Sequence, residues 1–137
     1  MKSEAKVTAE LHQLNVSQPS IPNSKPITMH YSFDFAQQVH YPSNAAQPGP
    51  LYFLTPRKCG IFGVHCEGLE TQVNYLIDEG MASSKGSNAV ISYLHHYFER
   101  YGQGEQNLHL HCDNCAGQNK NRWVLFYFAW RVMKGFH

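Results

Sequence analysis

The sequence predicts an α/β fold built on a β-sheet of mixed strand direction. Three observations carry this expectation. Short stretches of alternating apolar and polar residues recur from Met29 onward. One longer stretch, from Val90 to Tyr101, instead repeats its apolar residues at helical spacing. A further alternating stretch follows it, so a helical crossover separates the early strands from a later one. The expected order is three or four strands, then helix, strand and helix.

Residues 1–28 read as a peripheral segment. Residues 2–14 contain good helix formers in a run of marginal length, and Pro19, Pro22 and Pro26 among Ser and Asn then suggest a linker. The domain is expected to occupy residues 29–137. Its first strand falls at residues 30–36, with Tyr31, Phe33 and Phe35 on one side and Ser32, Asp34 and Ala36 on the other. A loop rich in Pro, Asn and Gly follows over residues 41–50. Residues 51–55 and 60–66 read as two further strands, and residues 73–77 as another.

The clearest helix has Val90, Ile91, Leu94, Tyr97, Phe98 and Tyr101 on its apolar stripe, with Asn88 as N-cap and Gly102 as stop. Residues 107–113 alternate again, Leu108, Leu110 and Cys112 opposing His109, His111 and Asp113. After a turn at residues 114–118, a second helix over residues 119–133 ends near Gly135. Its apolar residues lie on nearly every side, which predicts burial against the sheet or against further chain.

The bulk numbers are consistent with one folded domain. Hydrophobic residues make up 42% and charged residues 15% of 137 positions, which argues against global disorder. The net charge of +1 excludes a general polycation, yet it is unevenly spread. Residues 114–137 hold four basic residues (Lys120, Arg122, Arg131 and Lys134) and no acid, a local asymmetry that either attracts a polyanion or forms a solvated face. The first ten residues lack the apolar core of a secretory leader, and the longest nearly apolar run, 123–133, is too short to span a bilayer. Four cysteines without secretory features predict reduced thiols in an intracellular, non-secreted protein.

Two aspartates stand where a divalent-metal site would need them. Asp34 lies within the first strand and Asp113 ends the strand after the crossover helix, so neighbouring strands would bring both carboxylates together. Such hard oxygen ligands hold Mg²⁺ or Mn²⁺. The plainer alternative makes both ordinary strand-end residues. Glu67, Asp78 and Glu79 read as surface acids and as local candidates for an additional carboxylate. Between Asp113 and Asn121, amides and a glycine join strand to helix. Asn114, Gln118, Asn119 and Lys120 could there support the site or contact phosphate at the helix N-terminus, or Asn114 and Asn119 could simply cap the backbone. A competing zinc reading uses Cys112-x-x-Cys115, with Cys59, Cys66, His65, His109 and His111 to complete a tetrahedron. His95 and His96 are expected on the solvated face of the first helix.

The strings HYSFDFAQQVHYPS, PRKCGIFGV, KGSNAVISYLHHYFE and LHLHCDNCAGQNKNRWVLFYFAWR together resemble a family of uncharacterised domains in transposon-derived animal proteins, common in fish. That family is similar to the transposase-like branch of the ribonuclease H-like superfamily. The resemblance covers about residues 29–137 and implies a ribonuclease H-like mixed sheet with flanking helices, incomplete at its C-terminal side. It matches Asp34 to the first catalytic acid and Asp113 to the second, with Mg²⁺ or Mn²⁺ as cofactor, DNA as partner and the nucleus as location. The family's third acid belongs to a Gly-His-Thr-containing segment that would follow His137, so the two carboxylates form an incomplete catalytic set. A non-catalytic alternative follows: an interaction relic that self-associates through the aromatic helix, residues 119–133. A zinc-stabilised binding module is the third reading.

Overall fold

The computed structural model describes residues 20–41, 57–80 and 85–137. The first expected helix, at residues 2–14, and the expected strand at residues 51–55 lie outside the described residues.

Four strands form one sheet: β1 (Lys25–Tyr41), β2 (Arg57–Cys66), β3 (Thr71–Asp78) and β4 (Glu105–His111), with α1 (Ser87–Tyr101) between β3 and β4 and α2 (Arg122–Met133) after β4. The sheet order is β3-β2-β1-β4. β1 pairs antiparallel with β2 and β2 antiparallel with β3, whereas β1 and β4 run parallel. The chain is therefore an α/β domain with a mixed sheet, as the alternation and the helical crossover predict.

β1 begins at Lys25, inside the stretch expected to be linker. Pro26 is tolerated because β2 pairing starts only at Tyr31 and the β1–β4 register shifts between Lys25 and Thr28, leaving the proline at an irregular, half-edge position.

The alternation sorts the sheet into two faces. Met29, Tyr31 and Phe33 of β1 and Phe62 and Val64 of β2 turn toward α1, whose Val90, Leu94, Tyr97 and Phe98 are buried against them. Aromatic edges and faces interlock here: Tyr31 meets both Tyr97 and Phe98 edge-on at 5.6 Å, and Phe62 stacks on Tyr93 at 5.1 Å. Gly102 ends α1 as expected, since any Cβ there would lie 2.4 Å from the Phe98 carbonyl oxygen. The start of α1 differs from expectation. Gly86 occupies the N-cap position without a side-chain bond, and Asn88 lies inside the first turn.

α2 departs furthest from expectation. It buries only Val124, Tyr127 and Arg131, while Trp123, Leu125, Phe126, Trp130, Val132 and Met133 are exposed. An apolar periphery does predict burial, but α2 lies against α1 by one narrow side and no other described element covers the rest. Arg131, expected among solvated charges, is 3% exposed. Its guanidinium donates to the Tyr127 hydroxyl at 3.2 Å and to His137 at 3.0 Å, and lies 4.8 Å from the Phe98 ring centroid. His95, expected in solvent, connects the helices through the Tyr127 hydroxyl at 3.3 Å, and His96 reaches the Tyr75 hydroxyl at 2.9 Å. No helix among the described residues is long and apolar enough to cross a membrane.

Candidate functional site

The second face of the sheet is polar. Ser32, Asp34 and Ala36 of β1 alternate away from the core, and Ile61, Gly63 and His65 of β2 and Gln72 and Asn74 of β3 join them. Together with His111, Cys112 and Asp113 they line an open cavity of about 460 Å³. Gly63 sits directly across from Asp34 in the β1–β2 register. A Cβ at that glycine would come within 3.0 Å of the Gln72 side chain and 3.1 Å of that of Asn74, so glycine keeps the floor beside the carboxylate low. Farther along the same face, His30 stacks on His109 at 4.6 Å and lies 5.9 Å from His111. Parallel pairing of β1 and β4 puts His30 opposite His109 and so creates this row.

Asp34 and Asp113 meet at one end of the cavity. Asp113 lies two residues beyond β4 rather than at its last position, and its Oδ1 accepts from the Cys115 backbone N–H at 3.0 Å, the local turn that Asp side chains favour. Asp34 Oδ1 accepts from the Phe35 N–H at 2.7 Å. One group joins them: the Asn119 Nδ2 amino group donates to Asp113 Oδ1 at 2.8 Å and to Asp34 Oδ1 at 3.2 Å. Both carboxylate oxygens therefore lie within 3.2 Å of a single nitrogen. Asn119 is 3% exposed, whereas both aspartates face solvent. Its carbonyl oxygen Oδ1 is buried without a hydrogen-bond partner among the described residues. Leaving such a group unpaired costs about 1–3 kcal/mol.

The other residues of the Asp113–Asn121 connection are placed differently from one another. The backbone N–H groups of Gln118, Asn119 and Lys120 all donate to the Cys115 carbonyl, and Asn121 caps α2 by accepting from the N–H groups of Trp123 and Val124. The donors that would face a phosphate at the helix start are thus engaged within the protein. Asn121, and not Asn119, is the cap, because Asn119 is turned inward to the carboxylates. Lys120 donates to Asn114 Oδ1 at 2.9 Å, which ties those two exposed side chains to each other, and Gln118 is half-buried in the turn.

The remaining acids form no metal-holding group with the pair among the described residues. Glu67 follows β2 and accepts from Ser32 at 3.1 Å, Asp78 is held by Arg57 at the end of β3, and Glu79 accepts from the Lys58 N–H. For the zinc reading, Cys66 is buried and Cys59 stands seven residues from it along β2, roughly 23 Å at strand rise. Cys112 and Cys115 share the β4–α2 connection. Desolvation first, then the charges of Asp113 and Asp34, push the Cys112 thiol pKa up. Among the described residues, no group of three or more His, Cys, Asp or Glu side chains is arranged to hold a metal ion.

The donor set does suit a hard cation in a limited way. Two carboxylates are enough for Mg²⁺ when waters and substrate phosphates complete its shell. Asn119 engages only the Oδ1 atoms, and the Oδ2 atoms accept no hydrogen bond from described residues. Sequence reasoning found Asp34, Asp113 and Asn119, named His65 and His111 only as zinc candidates, and missed Gly63, Gln72 and Asn74. Strand alternation puts such residues on the side away from the core, yet says nothing of which polar positions gather beside Asp34.

Comparison with known families gives one match. The model of a family described as a domain of unknown function, DUF7869, matches residues 54–136. No curated protein and no solved structure matches the chain.

Proposed function

The chain belongs to the DUF7869 family, whose description assigns no activity, and we propose from the geometry that its sheet is ribonuclease H-like and supports metal-dependent cleavage or transfer of DNA strands. The observation that carries this reading is the convergence of Asp34 and Asp113, distant in sequence, on the single Asn119 amino group. The β3-β2-β1-β4 order, with an antiparallel meander and a parallel β4 placed beside β1, supports it.

Asp34 and Asp113 would hold Mg²⁺ or Mn²⁺ through their unengaged oxygens. The bound ion would supply charge stabilisation and an activated water at a phosphodiester. Asn119 sets the spacing of the two carboxylates. The open face beside them, kept low by Gly63, gives a backbone phosphate room to approach. Such an activity on DNA belongs in the nucleus. The two carboxylates form part of the acidic set that the ribonuclease H-like resemblance implies.

Supercoiled DNA incubated with the protein and MnCl₂ tests the reading. Nicking is expected with the wild-type chain and is lost in Asp34→Ala and in Asp113→Ala. Nicking that persists in both variants removes the assigned roles.

A second reading has its own observation. α2 leaves Trp123, Leu125, Phe126, Trp130, Val132 and Met133 exposed on one short helix, a concentration of apolar side chains that a partner could cover. A second copy of the chain would cover it, as in an interaction relic. Sedimentation should then show concentration-dependent dimers that weaken when Phe126 and Val132 are made polar. A strictly monomeric chain would rule this reading out.

A further inference from the structure

The geometry points to Asn119 as the third oxygen ligand of the cation site, engaged by a half-turn of its own side-chain amide. This inference rests on the carboxylate–cation reading and deepens it.

Two observations on the same residue carry it. The amino end of Asn119 lies between the two carboxylates, within hydrogen-bond distance of both. Its carbonyl end is buried and has no donor among the described residues. Without a cation, two adjacent anions select the donor end of the amide, and the acceptor end is left unsatisfied as a consequence. The two ends of an amide are nearly identical in size, and the terminal torsion of Asn is broad and roughly two-fold. A half-turn therefore exchanges them with little repacking, even at a residue only 3% exposed.

A divalent cation reverses the preference. It neutralises the carboxylates, draws on their lone pairs, and favours a further oxygen over an N–H group. The half-turn would put Oδ1 where the nitrogen now stands, beside both aspartate oxygens. Three oxygens, one from β1 and two from the β4–α2 connection, would then face one ion. The site gains an extra donor that no other acid among the described residues is arranged to give, and the carbonyl, unpartnered among those residues, gains a partner.

The opposing possibility is that Asn119 stays a hydrogen-bond donor throughout and only positions the carboxylates. Asn119→Asp separates the two, because aspartate can ligate but cannot donate from an ionised carboxylate. Calorimetric titration of the full chain with MnCl₂ is the measurement. Asn119→Asp is expected to tighten Mn²⁺ binding about tenfold and Asn119→Ala to weaken it about tenfold, the scale on which metal sites respond to their supporting groups. Equal or weaker binding by Asn119→Asp overturns the inference and leaves Asn119 a donor. Should Asn119→Asp not fold, magnesium titration of the ¹⁵N-labelled wild-type chain decides. The Asn119 side-chain NH₂ resonances must move with saturation, and their constancy while Asp34 and Asp113 respond overturns the inference. A wild-type chain that binds Mn²⁺ no better than Asp34→Ala refutes the underlying carboxylate reading, an outcome distinct from any result at Asn119.

Discussion

The sheet face that carries Met29, Tyr31, Phe33, Phe62 and Val64 lies beneath α1, and each of these residues is at most 3% exposed. The opposite face carries Ser32, Asp34, Gly63, His65, Gln72 and Asn74 and opens onto solvent. Both faces come from the same strands, one residue out of step. The comparison shows how the labour is divided. Aromatic burial under α1 supplies the cohesion, which leaves the other face free to keep two carboxylates together and a buried carbonyl unpaired. Features that would be costly defects in the core are tolerable beside it, where they can serve a ligand.

The sharpest way to break this comparison is to weaken each face in turn. Phe62 is fully buried and touches Phe33, Phe35, Tyr75 and Tyr93 through its ring. Phe62→Ala should cost about 3–5 kcal/mol of unfolding free energy. Asp34→Asn should change it by less than about 1 kcal/mol, since the side chain is exposed and the substitution removes one of two neighbouring like charges. Urea denaturation of both variants checks this. Equal losses would mean that the open face is as structural as the covered one.

Alkaline titration sharpens the contrast. Burial pushes the Cys66 thiol up to about 11, and it raises the phenols of Tyr31 and Tyr97 as well. For Cys66 the folded value lies above the unfolded one of about 8.5. Its contribution to stability is complete below pH 8.5 and is lost as pH rises toward 11, at about 1 kcal/mol per pH unit. Urea midpoints at pH 8, 9.5 and 10.5 should therefore fall, and fall less in Cys66→Val. A midpoint independent of pH would show that burial of these groups has been overstated.

Gly63 offers a subtler test on the open side. The atoms that a new Cβ would meet are the far ends of Gln72 and Asn74, which can swing away. Gly63→Val should shift stability by less than about 1 kcal/mol, with β-propensity offsetting the crowding. It nonetheless raises the floor beside Asp34, and misplacing a substrate by a fraction of an ångström should slow Mn²⁺-dependent nicking by about tenfold or more. Unchanged nicking would remove the cavity from the proposed function.

Legibility in the sequence follows the same division. Alternation identified β1 and β4, apolar content marked parts of β2 and β3, and helical spacing identified α1, because these elements bury one face and expose the other. It failed for α2, where apolar residues on all sides predicted burial and only Val124, Tyr127 and Arg131 are enclosed. Composition cannot say which neighbours a helix has. The site was half legible. Asp34 and Asp113 stood out as acids at strand positions that could adjoin. Asn119 read equally as site support or as a cap because it sits near a helix start, and its inward turn accompanies Asn121 taking the capping role. Pro26 misled the reading of β1, since a strand can admit proline where its neighbour has not yet begun to pair.

The smallest effect is expected where neither face is involved. Arg57 forks onto Asp78 at the far end of β2 and β3, with the guanidinium exposed and the carboxylate about half-exposed. The guanidinium hydrogen bond, followed by the Gly80 N–H, holds the Asp78 carboxyl below its ordinary pKa. A depressed carboxyl lends its stability above the unfolded pKa of about 3.9 and loses it as pH falls through the lower folded value. Arg57→Ala should leave the urea midpoint at pH 7 nearly unchanged, because an exposed pair is screened by water and salt. Carbon-detected NMR titration should nonetheless find the Asp78 carboxyl moved up toward its ordinary range. If that substitution destabilised the protein as much as Phe62→Ala, cohesion would have to be sought at the sheet's end, and the assignment of stability to the aromatic face would fail.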